Sequence, residues 1–333
     1  MKTGRRNLIT DVAGLRVGNA DDCRLRSGVT VLVCNEPTVA AVDIRGGGPG
    51  TRETDLLGLS RTLDRIDALV LSGGSALGLG AATGVQSLLR ERGVGFEIAG
   101  TRVPIVPQAV LFDLANGGEK DWGSSPPYER LARLAADAAG DDFALGSTGA
   151  GYGATTAFLR GGLGSASVIL DDGIAIGALA AVNPAGCVTV AGTPHFWAAP
   201  FERQEEFGGR GLPDHYPAQS LLPTLKGSAG ASTTLAIVAT SARLTKPQAR
   251  RFAVMAQAGL VRAVHPAHTP LDGDIVFALA TGRHVLADEV ADLARVGAMA
   301  AQTLARAIAR GVYEAGGEGD DWQIPPSYRR RFG

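Results

Sequence analysis

Ser232-Thr233-Thr234 stands where a run of small residues, Gly227-Ser-Ala-Gly-Ala231, gives way to the β-branched stretch Leu235-Ala-Ile-Val-Ala-Thr240. Hydroxyls at the head of a strand, fed by a flexible segment, mark a place where a chain could cut itself. Cleavage before Thr233 would make it a new N-terminus, with a hydroxyl nucleophile and its own α-amine as base in one residue. An α-amine has a reference pKa of about 7.7 to 8.0, so it can take the hydroxyl proton near neutral pH without a histidine. The competing reading is an ordinary strand threonine, and on chemistry alone that is the more economical one.

Other constellations have similar double readings. Asp272-Gly273-Asp274 reads as a polar turn before a strand, although paired carboxylates can also orient a nearby amine or hydroxyl. Asn183-Pro184 ends a strand and reads as a turn, yet an asparagine amide is also a suitable oxyanion donor. His265 and His268, with Asp272 and Asp274 nearby, could be drawn as a metal site, but Pro266 breaks the helix face that a histidine pair should share. No metal is expected. Gly149-x-Gly151-x-x-Ala154 fits a loose dinucleotide pattern, but Gly161-Gly162 arrives too soon for the helix it needs, and no Gly-Lys-Ser/Thr loop exists. No cofactor is expected either. Ser75 in Gly73-Gly-Ser-Ala-Leu-Gly78 resembles a nucleophile elbow with one residue too many, and a helix N-cap is its better role.

The elements that must position these residues follow from periodicity. Val29–Cys34, Val39–Ile44 and Ile66–Leu71 read as strands, the last leading into a helix with Leu77, Ala81, Val85 and Leu88 on one face, stopped at Arg92-Gly93. Leu131–Ala138 is a second helix. Ser165–Leu170 and Ile174–Val182 are strands joined by Asp171-Asp172-Gly173, which has tight-turn chemistry. Residues 193–226 show no periodicity and read as a long excursion. Leu235–Ala239 is then a strand, Thr245 caps a helix with Pro247 at N1, and Ile275–Ala280 is another strand. A final helix carries Leu286, Val290, Leu293, Gly297, Ala300, Leu304 and Ile308 and ends at Gly311. Strands paired between helices favour sheets layered with helices over a strict βαβ repeat.

Composition excludes several function classes. With 45% apolar and 20% charged residues and a formal net charge of -1, the 333-residue chain is that of a globular protein. Only Arg329-Arg330-Arg331 forms a block of like charge, so neither nucleic acid nor an acidic membrane is implied as partner. A small-molecule or peptide substrate is expected. Cys23, Cys34 and Cys187 show no CxxC spacing and read as buried thiols of a reducing compartment. No apolar run approaches the roughly 18 residues of a membrane span and the N-terminus lacks an apolar signal core, so the cytoplasm is the expected location.

Six segments, in order, bear a resemblance: Asn7-Leu-Ile-Thr-Asp-Val-Ala-Gly-Leu-Arg-Val-Gly18, Gly47-Gly-Pro-Gly-Thr-Arg-Glu-Thr-Asp55, Leu71-Ser-Gly-Gly-Ser-Ala76, Val103-Pro-Ile-Val-Pro107, Gly161-Gly-Leu-Gly-Ser-Ala-Ser167 and Pro266-Ala-His-Thr-Pro-Leu-Asp-Gly-Asp274. Together they resemble the L-aminopeptidase/D-esterase (DmpA-type) family of self-processing peptidases, which includes β-peptidyl aminopeptidases and nylon-oligomer hydrolases. The resemblance runs from about residue 7 to residue 310. It implies an α/β fold, a four-layer αββα sandwich like that of N-terminal nucleophile hydrolases but with different connectivity. It also implies one hydrolase domain over 1–333, cut into 1–232 and 233–333 that stay together, in a homo-oligomer of four or more subunits.

By the same resemblance Ser232-Thr233 is the cleavage site, Thr233 the nucleophile, Asn183 the oxyanion asparagine, and Asp272 and Asp274 the active-site acids. The substrate would be a small peptide, amino-acid amide or ester. Two positions depart from the family pattern: Leu77 stands for an oxyanion-binding tyrosine, and Phe158 for a lysine. They motivate an alternative, an unprocessed, weakly active or inactive relative that binds small amino compounds or serves as an oligomeric scaffold.

Overall fold

Thr233–Ala242 is buried at every position, and its side chains alternate between two different cores. Leu235, Ile237 and Ala239 enter one, while Ala236 and Val238 enter the other. A strand buried on both faces needs a layer above and a layer below it.

The computed structural model describes residues 1–227, 232–316 and 324–333. In chain order the strands are β1 (Leu15–Asp22), β2 (Ser27–Ile44), β3 (Gly50–Arg52), β4 (Arg65–Ser72), β5 (Phe96–Ile98), β6 (Thr101–Val103), β7 (Gln108–Val110), β8 (Gly162–Ile169), β9 (Ala175–Asn183), β10 (Thr233–Ala242) and β11 (Ile275–His284). The main helices are α1 (Ala81–Glu91), α2 (Tyr128–Asp137), α3 (Lys246–Ala263) and α4 (Glu289–Tyr313). Strand order is β3-β7-β4-β2-β11-β10-β9-β8, with β1 also on β2 and β5 paired with β6 apart.

The long strand β2 links the two halves of this order. Val29, Val31 and Val33 pack under α1 and α2, Val39 and Ala41 pack under the α3–α4 side, and Leu32 and Ala40 face the core between. Its register on β4 shifts between Val33 and Thr38, at the exposed Asn35-Glu36-Pro37. One strand thus passes from one sheet layer to the other through an irregularity, as strands at sandwich corners do. Three cores therefore separate four layers: α1–α2, the β1–β2–β4–β7 half, the β8–β11 half, and α3–α4. This is the expected αββα sandwich.

Local signals explain most boundaries. Thr245 caps α3 in a reciprocal box with Gln248, and Asp288 Oδ1 accepts the Val290 and Ala291 amides at the start of α4. The turn Asp171-Asp172-Gly173 joins β8 to β9, with Gly173 at φ +85.

Five expectations are corrected. Val29–Cys34 and Val39–Ile44 are one strand, because extended backbone continues through the polar exposed residues between them. Ser75 caps no helix: it lies at φ +50 inside the 3-10 turn Ser75–Gly80, whose N-cap is Gly74, and α1 has Gly80 as its N-cap. Lys246 rather than Pro247 takes the first position of α3. Helix α4 runs past Gly311, a residue that lets the helix lie close on β8, where a Cβ on Gly164 would meet the Ala307 carbonyl at 1.9 Å. Cys23 is exposed, whereas Cys34 and Cys187 are buried, and burial pushes their thiols up to about 12 and about 11. No helix among the described residues is long and apolar enough to cross a membrane.

Candidate active site

The head of β10 is held on both sides. On one side Thr233 is the antiparallel partner of Asn183 at the end of β9, so their side chains share a sheet face. On the other, Ser232 bridges to Asp272, its N–H donating to Leu271 O at 3.1 Å and its carbonyl accepting the Gly273 N–H at 2.8 Å. The Thr233 hydroxyl donates to the same Ser232 carbonyl at 2.6 Å. Ser232 and Thr233 are 3% and 4% exposed, so this polar contact is shielded from bulk water.

Strand alternation sorts the remaining groups. With Leu235 opposite Ile275, Thr233 falls opposite Gly273, while Asp272 and Asp274 fall with Ser232 and Thr234. A Cβ at Gly273 would stand 2.6 Å from Thr233 Oγ1, which confirms that the hydroxyl lies over the bare Cα of Gly273. Asp272 Oδ1 accepts the Ala185 N–H at 2.9 Å, and its Oδ2 accepts from the Thr269 amide at 2.9 Å and hydroxyl at 2.6 Å. Asp274 Oδ1 accepts the Thr234 N–H at 2.8 Å, and Oδ2 accepts the His268 N–H at 3.0 Å and faces His268 Nδ1 at 3.0 Å. Both carboxylates are fully buried; Asp274 holds the Thr234 amide next to Thr233, Asp272 ties the turn at Thr269 to Ala185 after β9, and neither hydrogen-bonds the Thr233 hydroxyl. Burial, reinforced by the charge of Asp274, pushes Asp272 above the usual carboxylate range.

Asn183 is fixed by three partners. Its Oδ1 accepts from the Thr155 N–H and from Lys226 Nζ, each at 2.9 Å, and its Nδ2 donates to Phe112 O at 2.9 Å. Lys226 carries no sequence signal, for it lies 43 residues from Asn183 in a stretch without periodicity. His268 reads from the sequence only as a possible metal ligand. His265 lies elsewhere, edge-on to Trp197 at 5.5 Å, so the two histidines do not converge.

Of the residues singled out from the sequence, Ser232, Thr233, Asn183, Asp272 and Asp274 come together here. Leu77 is 50% exposed and belongs to none of the three cores. Phe158 packs against the α3–α4 core with Arg331 Cζ 5.6 Å above its ring. The position of the expected lysine thus serves packing, although its loop supplies the Thr155 amide to Asn183. The small-residue run Ser228–Ala231 lies outside the described residues.

Known proteins are similar to this chain. An uncharacterized aminopeptidase of Mycobacterium tuberculosis is 43% identical over 332 residues, covering 93% of this chain and 94% of the relative. A 6-aminohexanoate-oligomer endohydrolase of a Kocuria species is 28% identical, over 84% of this chain and 76% of its own. The L-aminopeptidase D-Ala-esterase/amidase of Ochrobactrum anthropi, a serine aminopeptidase described as a new variant of the Ntn hydrolase fold, superposes with a TM-score of 0.71 at 21% identity, covering 99% of this chain and 93% of that one. Residues 7–319 match peptidase family S58, and the chain belongs to that family of aminopeptidase-type hydrolases.

Proposed function

We propose that this hydrolase matures by cutting its own Ser232–Thr233 bond and then uses Thr233 as an N-terminal nucleophile on N-terminal amino-acid amides, peptides or esters. The observation that carries the reading is the Ser232 carbonyl, which receives the Thr233 hydroxyl at 2.6 Å and the Gly273 N–H at 2.8 Å. A nucleophile stands against the bond it would attack, and a backbone donor already faces the oxygen that would become negative.

In the first step the hydroxyl adds to the Ser232 carbonyl carbon, the acyl group shifts from nitrogen to oxygen, and water hydrolyses the ester. Thr233 is left with a free α-amine. In turnover that amine takes the hydroxyl proton, and the hydroxyl attacks a bound amide or ester. The Gly273 N–H and the Asn183 side chain hold the tetrahedral oxyanion, a donor being worth about 3 kcal/mol in comparable sites. Asp272 or Asp274, which flank Gly273 opposite Thr233, would hold the new ammonium or that of a substrate. The name of the Kocuria relative extends the substrate class to oligoamides of ω-amino acids.

Intact mass of the purified protein tests this: fragments 1–232 and 233–333 are expected in place of the 34.2 kDa chain, and Thr233→Ala is expected to stay whole. A Thr233→Ala chain that splits at the same bond removes the nucleophile assignment. A wild-type chain that stays whole and hydrolyses no amino-acid anilide or ester supports the binder or scaffold alternative.

A further inference from the structure

The uncut chain lacks the base that the mature enzyme would use. Before cleavage the Thr233 nitrogen is an amide, with no lone pair available for a proton, so another group must take the hydroxyl proton in the first step. We propose that Lys226 is that group: its amine is the general base for self-cleavage, standing in for the α-amine that cleavage creates. The proposal rests on the cleavage site read above.

Three observations place it. Lys226 Nζ lies 2.9 Å from Asn183 Oδ1 and 3.5 Å from Asn183 O, and its own N–H donates to Ala185 O at 2.7 Å, so both ends of the residue are anchored at the end of β9. Asn183 is the direct partner of Thr233, which puts the amine and the hydroxyl beside one side chain on one sheet face. The other titratable groups described around the site are engaged elsewhere: the Asp272 and Asp274 carboxylates each have three polar contacts, none of them to the Thr233 hydroxyl, and His268 is turned onto Asp274. These acids fall on the Ser232–Thr234 side of the strand.

Lys226 is half-buried as a residue, and its ammonium is desolvated. Burial pushes it down to about 7, against the opposing pull of Asp272, from the loop before β11, and Asp113, from the loop after β7. Behind Asp272 stand Asp274 and His268. Around Asp113 stand Ser27, Lys120 and Tyr128, whose charges and hydroxyls face the same acid. Near neutral pH a useful fraction of Lys226 is therefore the free amine.

The step balances within the chain. As the Oγ1–C bond forms, the Thr233 hydroxyl proton passes to Nζ. As the C–N bond breaks, the same proton passes from Nζ to the departing Thr233 nitrogen. An ester and a free α-amine remain, and water then splits the ester into the Ser232 carboxyl group and the Thr233 hydroxyl.

The test follows the splitting of freshly translated full-length chain on gels from pH 5.5 to 9. Wild type is expected to split faster as pH rises through about 7 and then to level off, once most of the amine is free. Lys226→Met is expected to split about a hundredfold more slowly, to lose that rise, and to be partly rescued by added ethylamine. Lys226→Arg keeps the stem and the charge but cannot release its proton, so it too is expected to be slow, and it decides the matter should the methionine variant not fold. Wild-type splitting in Lys226→Arg, or an unchanged rate and pH profile in Lys226→Met, overturns the proposal and leaves the cleavage site intact. Failure of wild type to split before Thr233 overturns the underlying reading instead.

Discussion

The Ser232 carbonyl and the Gly273 amide are joined by a 2.8 Å hydrogen bond, and the same glycine leaves open the space that Thr233 Oγ1 occupies. One residue thus serves the Ser232–Thr233 link twice, by its N–H and by its missing side chain. Gly273→Ala tests the second role: the new Cβ would lie 2.6 Å from Oγ1 and 2.8 Å from Gly48 O, and the carbonyl belongs to backbone that cannot simply turn away. The hydroxyl is expected to be displaced, with self-cleavage slowed about a hundredfold, the scale of a 1 Å error at a reacting atom. Intact mass against time after synthesis reads this out. Cleavage at the wild-type rate would show that Oγ1 need not sit over Gly273.

Asp274 offers a second test, of positioning rather than contact with the hydroxyl. Its two oxygens accept the Thr234 and His268 N–H groups, and Oδ2 also faces His268 Nδ1 at 3.0 Å. In Asp274→Asn the amide nitrogen must face one of these donors, leaving a buried group unsatisfied at a cost of about 1 to 3 kcal/mol. A lower melting temperature and slower cleavage are expected together. A variant that melts lower but cleaves at the wild-type rate would separate the stability of the clasp from its role at Thr233.

A pH effect on stability is expected at Asp43, on β2. Burial alone would raise its pKa, but hydrogen bonds from Arg45, at 2.7 Å, and Arg250 hold the carboxyl below the usual range. A depressed carboxyl contributes stability that is complete above its unfolded value of about 3.9 and is lost as pH falls through the lower folded value. Asp43→Asn is therefore expected to be less stable at pH 7 by about 1 kcal/mol, a modest figure because both guanidiniums reach solvent. The deficit should close as pH falls below about 3.9, and thermal melts of both chains from pH 3 to 7 would show whether it does.

Periodicity made much of the frame legible. The β8–β9 hairpin, the α3 cap at Thr245 and the buried strand β10 are local signals, each decided within a few residues. What was lost is what distance decides. Asn35-Glu36-Pro37 looked like a break because polar residues leave the core there, yet the backbone only changes layer. Gly311 looked like a helix end, but it is a contact with β8, a strand about 150 residues earlier in the chain. Lys226 carries no signal of its own, since a lysine in an aperiodic stretch is ordinarily solvated. Only the fold brings its amine to Asn183. The site residues that were legible came through motif resemblance, and the same resemblance directed attention to Phe158, whose side chain packs away from the site.

Asn7, the first residue of the first resembling segment, explains itself through Arg306 on α4. Arg306 is 1% exposed, donates to Asn7 Oδ1 and Glu206 Oε2 at 2.9 Å and to Ser167 O at 3.0 Å, and reaches Glu206 Oε1 at 2.5 Å. Asn7 in turn donates to Glu206 at 2.6 Å, so the N-terminal segment, the 193–226 excursion and the last long helix meet at one buried guanidinium. Removing Arg306 leaves the buried Glu206 carboxylate with Arg310, at 3.7 Å, as its remaining cationic partner, and Arg306→Leu is expected to cost about 3 kcal/mol. The double change Arg306→Leu with Glu206→Leu should recover part of that loss, because the buried carboxylate goes with its main partner, the remainder reflecting Arg310, which then loses its own pairing with Glu206. Urea unfolding of the single and double variants measures both. A double variant as unstable as the single one would mean that Arg306 acts through packing and its other hydrogen bonds rather than through Glu206.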